Sequence, residues 1–408
     1  MSWWVTGKVS NRLKQVENWP YADSGYGQKY FRTLDEKRRK ANDLINLNAF
    51  PDVCIEKVPR YVFEEIQKLL GCPMSLPASF TTESGLPELR EAIARKLKRV
   101  NRMNADPDTD ILPTVGAKEG LYITFQTLIN PGDEIMIPRP NFVFHGMVEL
   151  AGGVPVYVPT REENQWRLEA EEFRRRITGR TKIIIICNPV NPTGHLPTQK
   201  EIEEIVGIAE ENNLIIVSDE AYEGYAYGGR QHTSVASLQD AYDRTITLFS
   251  LSKIHGISWC RMGYAVGNRS IMEHMKKLQR WLLIGLPVIE QKIAELVVSS
   301  KDDWVKDICR IVERRMTALK DGWNSIDGIS CVEPEGSPYS FPNVSEFGMR
   351  SSELAEYLLR EAEVVTAPGG AYLGEGHLRA IPAKSEEILQ RGIERIRDAL
   401  SRLPSRPS

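Results

Sequence analysis

Lys182-Ile183-Ile184-Ile185-Ile186-Cys187 is the most apolar short run in the chain, and it ends at once in Asn188-Pro189-Val190-Asn191-Pro192-Thr193-Gly194. A run that short, closed by two Asn-Pro steps and a glycine, reads as a strand buried on both faces and followed by a turn. Comparable runs flank it: Asp133-Glu134-Ile135-Met136-Ile137, Leu214-Ile215-Ile216-Val217-Ser218 and Ile246-Thr247-Leu248-Phe249. Amphipathic helical patterns separate them from about Ile111 to Gly267, which predicts a mainly parallel sheet covered on both faces. Ligands of such sheets bind beyond the carboxyl ends of the strands, where the polar clusters of this chain fall. After Asn268 the pattern is long and helical from Ser270 to about Ile326, with Glu290 and Lys292 interrupting apolar positions. A second alternating unit follows: a strand at Ser340 to Val344, a helix from Ser351 to Ala362 capped by Ser351 and Ser352, a strand within His377 to Ile381, and a closing helix from Ser385 to Leu400.

With 408 residues, a large domain plus a smaller one is expected. Apolar residues make up 41% and charged residues 26%, an ordinary globular composition. The net charge of -3, from 52 basic and 55 acidic residues, creates no strong field for nucleic acid or an anionic membrane and favours a small-molecule substrate. Six cysteines (Cys54, Cys72, Cys187, Cys260, Cys309 and Cys331) form no C-x-x-C pair, so reduced thiols in a cytoplasmic protein are expected. No apolar run approaches the roughly eighteen residues of a membrane span. Met1 to Lys8 lacks a signal-peptide core; Trp3 and Trp4 are expected to pack on the protein's own surface, and the tail Pro404 to Ser408 to fray.

Chemistry concentrates in Phe249-Ser250-Leu251-Ser252-Lys253, with Arg261 eight residues on in Cys260-Arg261-Met262-Gly263-Tyr264. A lysine at the end of an apolar run, fenced by small hydroxyls and followed by an arginine, suits pyridoxal 5'-phosphate (PLP). The amine forms a Schiff base with the aldehyde, and the serines and arginine donate to the phosphate. Taken alone the pattern decides little, since most lysines are solvated surface charges. Asp219, ending the strand before it in Ser218-Asp219-Glu220-Ala221-Tyr222, would keep a pyridine nitrogen protonated, although an Asp there is also a common helix N-cap. Tyr222 would donate to a phenolic oxygen, or is a packed aromatic with a wet tip. Thr114-Val115-Gly116-Ala117-Lys118-Glu119-Gly120 passes from strand to helix, where free amides cradle phosphate. Arg379, on an otherwise apolar late strand, is the natural partner of a substrate carboxylate.

Asn191-Pro192-Thr193-Gly194, Ser218-Asp219-Glu220-x-Tyr222, Ser250-x-Ser252-Lys253, Arg261-x-Gly263-Tyr264 and Arg379 stand in the order and rough spacing of the fold-type I PLP-dependent aminotransferases. More closely, the chain resembles their aspartate/tyrosine aminotransferase-like class I/II group over roughly Asp35 to Leu400. Lesser landmarks agree, among them Ser84-Gly85-Leu86-Pro87-Glu88-Leu89-Arg90 and Asn130-Pro131-Gly132-Asp133. The resemblance implies an α/β fold: a large domain with a mainly parallel seven-stranded sheet and a smaller α+β domain. It implies Lys253 as the Schiff-base lysine and proton shuttle, Asp219 as the pyridinium partner, and Tyr222 as the phenol near the cofactor oxygen. Asn191 matches the amide that meets that oxygen and the substrate carboxylate. Ser250, Ser252 and Arg261 match phosphate ligands, with Gly116, Ala117 and Lys118 as the helix-start turn. Phe142 falls where an aromatic ring stacks on the pyridine, and Arg379 where the α-carboxylate is clamped. The domains implied are an arm or lid over 1–34, a small-domain part and linker over 35–75, a large PLP-binding domain over 76–290 and a small domain over 291–408.

Departures from the group fall around the substrate. Its glycine-rich early loop is replaced by Asn48-Ala49-Phe50-Pro51-Asp52-Val53, which makes Ala49 a candidate substrate contact. Phe80 stands where a neighbouring subunit usually offers a tyrosine hydroxyl to the phosphate, and Arg280 to Pro287 reads unlike the group's cross-dimer segment. His255 and His145 are either packed histidines or groups acting on an unusual substrate, and Asn18 to Gly27 is either a lid or a dimer-embracing arm. The expected protein is a cytoplasmic homodimer holding PLP and moving the amino group of an α-amino acid to a 2-oxo acid, with no nucleic-acid or membrane partner. Elimination, replacement, cyclisation or oxidation on the same cofactor is the alternative. A non-catalytic ligand sensor is a distant one, since the chain carries no basic patch for DNA.

Overall fold

The computed structural model describes residues 33–34, 36–37, 43–71, 81–142, 144–253, 255–300 and 303–403. Phe80, Asn18 to Gly27, Trp3, Trp4 and the tail from Pro404 lie outside the described residues, and so do the expectations placed on them.

The strands of the chain begin with β1 (Ile45–Asn46), β2 (Ile111–Thr114), β3 (Glu134–Arg139) and β4 (Val154–Pro159), followed by β5 (Thr181–Cys187), β6 (Ile215–Asp219), β7 (Thr245–Ser250) and β8 (Gly263–Val266). Strands β2 to β8 form one seven-stranded sheet in the order β2-β8-β7-β6-β5-β3-β4. Only β8 runs against its neighbours; every other pairing in the sheet is parallel. The isoleucine run explains why the sheet must be covered twice. Ile183 and Ile185 share a core with Leu121, Phe125 and Met272, whereas Ile184 and Ile186 share another with Ile202, Ile205 and Ile208 of the helix Gln199–Glu211. All four isoleucines are fully buried, and each such side chain stabilises the fold by roughly 1.5–3 kcal/mol.

A second core gathers Leu34, Ile45 and Leu47 with Leu319, Trp323, Leu354, Leu358, Leu378 and Ile396. Here β1 pairs in parallel with β9 (Val364–Val365), and β10 (Ala367–Pro368) pairs antiparallel with β11 (Leu378–Arg379). The early and late ends of the chain therefore share one small body. The helix Asp303–Asn324 joins it to the large sheet: Ile308, Val312 and Met316 pack with Tyr222, Tyr225 and Tyr339, and Trp323 sits in the small-body core. The helix Val288–Ser299 runs across the expected 290/291 division, and its residues Ile293, Ala294, Val297 and Val298 pack with Leu89, Ala92 and Ile93 in a core that also holds Phe249 and Tyr264 of the large sheet.

Three local expectations are corrected. The long helical stretch is three helices, Arg269–Leu282, Val288–Ser299 and Asp303–Asn324, the first break falling at Pro287, which has no N–H and disfavours helix in the residue before it. The strand at Ser340 to Val344 is reduced to isolated bridges from Ser340 to Ala380 and from Asn343 to His377, because Pro342 between them cannot donate to a ladder. The helix Ser351–Glu361 starts after Arg350, whose backbone N–H donates to Glu353 Oε2 at 3.2 Å. The Ser351 hydroxyl instead donates to Glu375 Oε2 at 2.9 Å and accepts from the Gly370 N–H.

Candidate active site

The register of the sheet aligns the strand ends that carry polar residues. Cys187 lies opposite Asp219, Asp219 opposite Leu248, and Ser250 opposite Gly263. The turn after β5, the end of β6 and the segment after β7 therefore open on one crevice.

One corner of it is a concentration of hydrogen-bond donors. The helix Gly116–Leu128 starts just after β2, so Gly116, Ala117 and Lys118 form its first turn, the end at which a helix presents its N–H groups and the positive end of its dipole. Gly263 allows this start to come close: a Cβ there would lie 2.6 Å from both the Ala117 nitrogen and the Phe249 oxygen. Arg261, held at φ 52, lays its guanidinium against the same turn, and Nη2 would be 2.7 Å from a Cβ on Gly116. Its Nη1 donates to Ser252 Oγ at 2.8 Å and to the Ser258 carbonyl at 3.0 Å, while Ser250 Oγ accepts from the Ser252 N–H at 3.2 Å. Helix amides, a guanidinium and two hydroxyls in one corner suit a multiply charged oxyanion such as a phosphate. Beside it, Lys118 Nζ lies 5.7 Å from the centre of the half-buried Phe142 ring, and burial lowers the lysine pKa. Phe142 meets Phe144 edge to face.

The middle of the crevice holds two charges of opposite sign, a buried carboxyl and a half-buried amine. Asp219, the last residue of β6, accepts the Ala221 N–H at 3.1 Å; burial pushes its pKa up to about 6, against the pull of that N–H and of Lys253. A carboxylate so destabilised fits a cationic partner, as a protonated ring nitrogen would be. Lys253 Nζ lies 4.9 Å from the centre of the Phe50 ring and 5.5 Å from that of Tyr222. Burial pulls its pKa down to about 8; Arg379 and Arg261 add to the shift, and Asp219 opposes it.

On the far side a hydrogen-bonded chain joins both bodies. Asn191 Nδ2 donates to the Tyr222 hydroxyl at 3.2 Å, and Asn191 Oδ1 accepts from Arg379 Nη1 at 3.1 Å. Arg379 Nη2 donates to Asn48 Oδ1 at 2.7 Å. The Tyr222 and Tyr339 hydroxyls are 2.8 Å apart. The Arg379 guanidinium carbon stands 4.6 Å from the Tyr339 ring centre and 4.4 Å from that of Tyr372, so two aromatic rings fix its plane.

The structure thus brings together Lys253, Asp219, Tyr222, Asn191 and Arg379, with Ser250, Ser252, Arg261, Gly116, Ala117 and Lys118 at the anion corner. Ala49 lies half-buried in the early loop, but the side chain of that loop which reaches Arg379 belongs to Asn48. His145 is buried in the helix Phe144–Leu150, which lowers its pKa, and His255 packs edge to face on Trp304. Sequence reasoning missed Asn48, Tyr339 and Tyr372 as contacts. The signals were slight: an asparagine in a loop already noted as unusual, and a tyrosine immediately before the Ser340 to Val344 segment read as strand.

Residues 74–396 match the family described as aminotransferase class I and II. The aspartate aminotransferase of Pyrococcus abyssi is 37% identical over 321 residues, 78% of this chain and 82% of that protein. The aromatic-amino-acid aminotransferase 2 of Thermococcus litoralis is 35% identical over 350 residues, 85% of this chain and 88% of that protein. Among solved structures, an alanine aminotransferase from Pyrococcus furiosus superposes with a TM-score of 0.88 at 30% identity, covering 97% of this chain and 100% of that one. The aspartate aminotransferase of Thermus thermophilus with maleate gives 0.86 at 29% identity, covering 96% and 99%. The chain belongs to the class I and II aminotransferases and is an enzyme of amino-group transfer between amino acids and 2-oxo acids. Among the described residues no helix is long and apolar enough to cross a membrane.

The depressed pKa of Lys253 is directly measurable. In cofactor-free protein its acylation rate, followed by peptide mass spectrometry, should climb through about pH 8 as Nζ loses its proton and level off above it. A Lys253 rate that is still climbing well above pH 9 would contradict the lowered pKa.

Proposed function

We propose that this crevice holds PLP and that the chain transfers the amino group of an α-amino acid to a 2-oxo acid with Lys253 as the reacting amine. The observation that carries the proposal is the meeting of an amine with its pKa near 8, a buried carboxylate and a fixed guanidinium at the edge where three strands end. Gly116, Ala117, Lys118, Ser250, Ser252 and Arg261 would hold the phosphate, Asp219 the pyridine nitrogen, Tyr222 and Asn191 the phenolic oxygen, Phe142 the ring face and Lys253 the aldehyde carbon. When bound, PLP supplies an aldehyde for an amine and a conjugated ring that takes up the electron pair of a broken Cα–H bond.

The remaining work falls to the chain's own groups. Arg379 binds the substrate α-carboxylate through two parallel hydrogen bonds, its plane held by Tyr339 and Tyr372. Asn191 orients Arg379 and reaches Tyr222 from the same amide. With the carboxylate fixed, the α-proton is presented to Lys253 Nζ. That amine is a competent general base near neutral pH because burial and Arg379 destabilise its charge. Burial raises the Tyr222 hydroxyl well above its ordinary range, so it stays a proton donor. We further propose that the enzyme is a homodimer. Trp281, Leu282 and Ile284 are 87%, 43% and 69% exposed, an apolar surface that a second copy would cover.

Borohydride reduction of the yellow holoenzyme should leave the cofactor adduct on Lys253, and an amino acid should convert the bound cofactor to its amine form until a keto acid restores it. Label on another lysine would refute the site; product release without that amine form would refute the transfer.

Arg379→Lys keeps the charge and loses the two-pronged geometry. At a cost of one charged hydrogen bond, KM for the amino acid should rise roughly ten- to a hundredfold with cofactor content unchanged. Loss of cofactor with KM unmoved would show that Arg379 serves the cofactor instead.

Light scattering at assay concentration should give twice the chain mass. A fully active monomer would reject the dimer.

A further inference from the structure

His195 directly follows Asn191-Pro192-Thr193-Gly194, and its side chain is completely buried. Nε2 lies 2.9 Å from Glu201 Oε1 and Nδ1 lies 2.9 Å from Glu335 Oε2. A ring with a carboxylate at each nitrogen satisfies both only when both nitrogens donate, that is, as imidazolium. Burial opposes that charge, but the two carboxylates outweigh it, so the His195 pKa is raised, Glu201 is drawn down to about 2 and Glu335 is lowered. The other charged groups facing this cluster are Arg230, 3.3 Å from Glu335 Oε1, and Arg167, 3.7 Å from Glu201 Oε2. Thr198 and the Leu168 N–H complete the bonding of Glu201.

The two carboxylates come from different parts of the chain. Glu201 lies in the first turn of the helix Gln199–Glu211, on the large sheet. Glu335 opens the segment that leads to Tyr339. That segment lies against the Asn191 turn: the Glu335 and Gly336 N–H groups both donate to the Gly194 carbonyl, at 2.8 and 2.9 Å, and Ser337 Oγ donates to the Val190 carbonyl at 2.9 Å. Gly194, at φ +78, is needed for the approach, since a Cβ there would lie 2.8 Å from Pro334 Cβ and from the Tyr339 oxygen. The turn itself is closed by the Val190 N–H donating to the His195 carbonyl at 2.8 Å. His195 thus pins together the turn that presents Asn191 and the segment that presents Tyr339. Those two side chains flank Arg379 and both bond Tyr222.

We propose that His195 is a positioning residue for substrate recognition: its bridge between Glu201 and Glu335 sets the spacing of Asn191 and Tyr339, and through them the plane of Arg379 that receives the substrate carboxylate. Below its raised pKa the ring is charged and the bridge is complete. As pH rises through that value the proton leaves, one carboxylate loses its donor, and affinity for the carboxylate falls. Of the groups in this chain of contacts, Arg379 acts on Lys253 through its charge and Tyr222 through a ring 5.5 Å from Nζ, while the hydrogen bonds themselves end on Arg379 and Tyr222, so KM is expected to move more than kcat.

The inference rests on Arg379 as the carboxylate clamp. The test uses holoenzyme, the amino acid it turns over fastest, and a carboxylate analogue of that substrate lacking the amine. His195→Gln is expected to raise KM about tenfold at pH 7, with kcat within about threefold and cofactor content unchanged. It should also abolish the part of the alkaline rise in analogue Kd that distinguishes the wild type, and the double variant His195→Gln, Glu335→Gln should recover most of the lost affinity because the stranded carboxylate is gone. Wild-type KM in His195→Gln overturns the inference, as does a fall in kcat and cofactor content with KM unmoved. Should His195→Gln not fold, Glu335→Gln removes one of the two charges that hold the proton. The alkaline rise must then shift to lower pH, and an unshifted profile overturns the inference. If Arg379→Lys leaves KM unchanged, the clamp reading itself fails. If Arg379→Lys raises KM while His195→Gln does not, only the role of His195 is rejected.

Discussion

The parallel register of β5, β6 and β7 is the constraint on which the rest of this molecule depends. Because Cys187, Asp219 and Leu248 stand side by side, the residues just past each strand are delivered to one edge of the sheet without any further folding. A slip of one residue along any of these strands would turn Asp219 or the isoleucine layers to the opposite face. Packing opposes it: Ile183 and Ile185 fill one core and Ile184 and Ile186 the other, and a slip would exchange the two sets between cores packed around different neighbours. The sheet thus positions the crevice as a by-product of its own packing.

Within the crevice the decisive physics is desolvation acting on charges of both signs. The same burial that raises Asp219 to about 6 lowers Lys253 to about 8, and each partly relieves the other. Such a pair is costly without a ligand, which on the proposed reading is the reason for the site: a cationic ring and a carbonyl carbon use the two strained groups separately. At the anion corner the cost is of another kind. Gly263 leaves room for a helix start to touch two strands, and Arg261 fills the space that a side chain at Gly116 would take.

The side of the crevice proposed for the substrate depends on contacts between the two bodies rather than on one element. Asn48 comes from the early loop, Asn191 from the large sheet, and Tyr339, Tyr372 and Arg379 from the late segments. A further link holds Arg379's strand in place from the large body: Glu162 Oε2 accepts from Asn343 Nδ2 at 2.6 Å and lies 3.1 Å from His377 Nε2, and the His377 ring stacks on Phe341 at 4.7 Å. Geometry at the guanidinium therefore depends on how the bodies sit together.

The strands, the sheet's predominantly parallel character and the clustering of Ser250, Ser252 and Arg261 were legible in the sequence because each depends on neighbours close along the chain. An apolar run has only one way to be buried twice, and Ser250, Ser252, Lys253 and Arg261 lie within a dozen residues of one another. The order of motifs carried the family for the same reason. Tertiary structure alone decided what lies far apart in sequence: that Asn48 reaches Arg379, that Tyr339 and Tyr372 enclose it, and that His195 finds Glu335, 140 residues away. It also decided where Pro287 and Pro342 interrupt elements whose periodicity runs on, since periodicity records which face is apolar and not which backbone N–H is missing. Local pattern determines the elements and their chemistry; the distance and orientation between side chains from different elements exist only once the cores have closed.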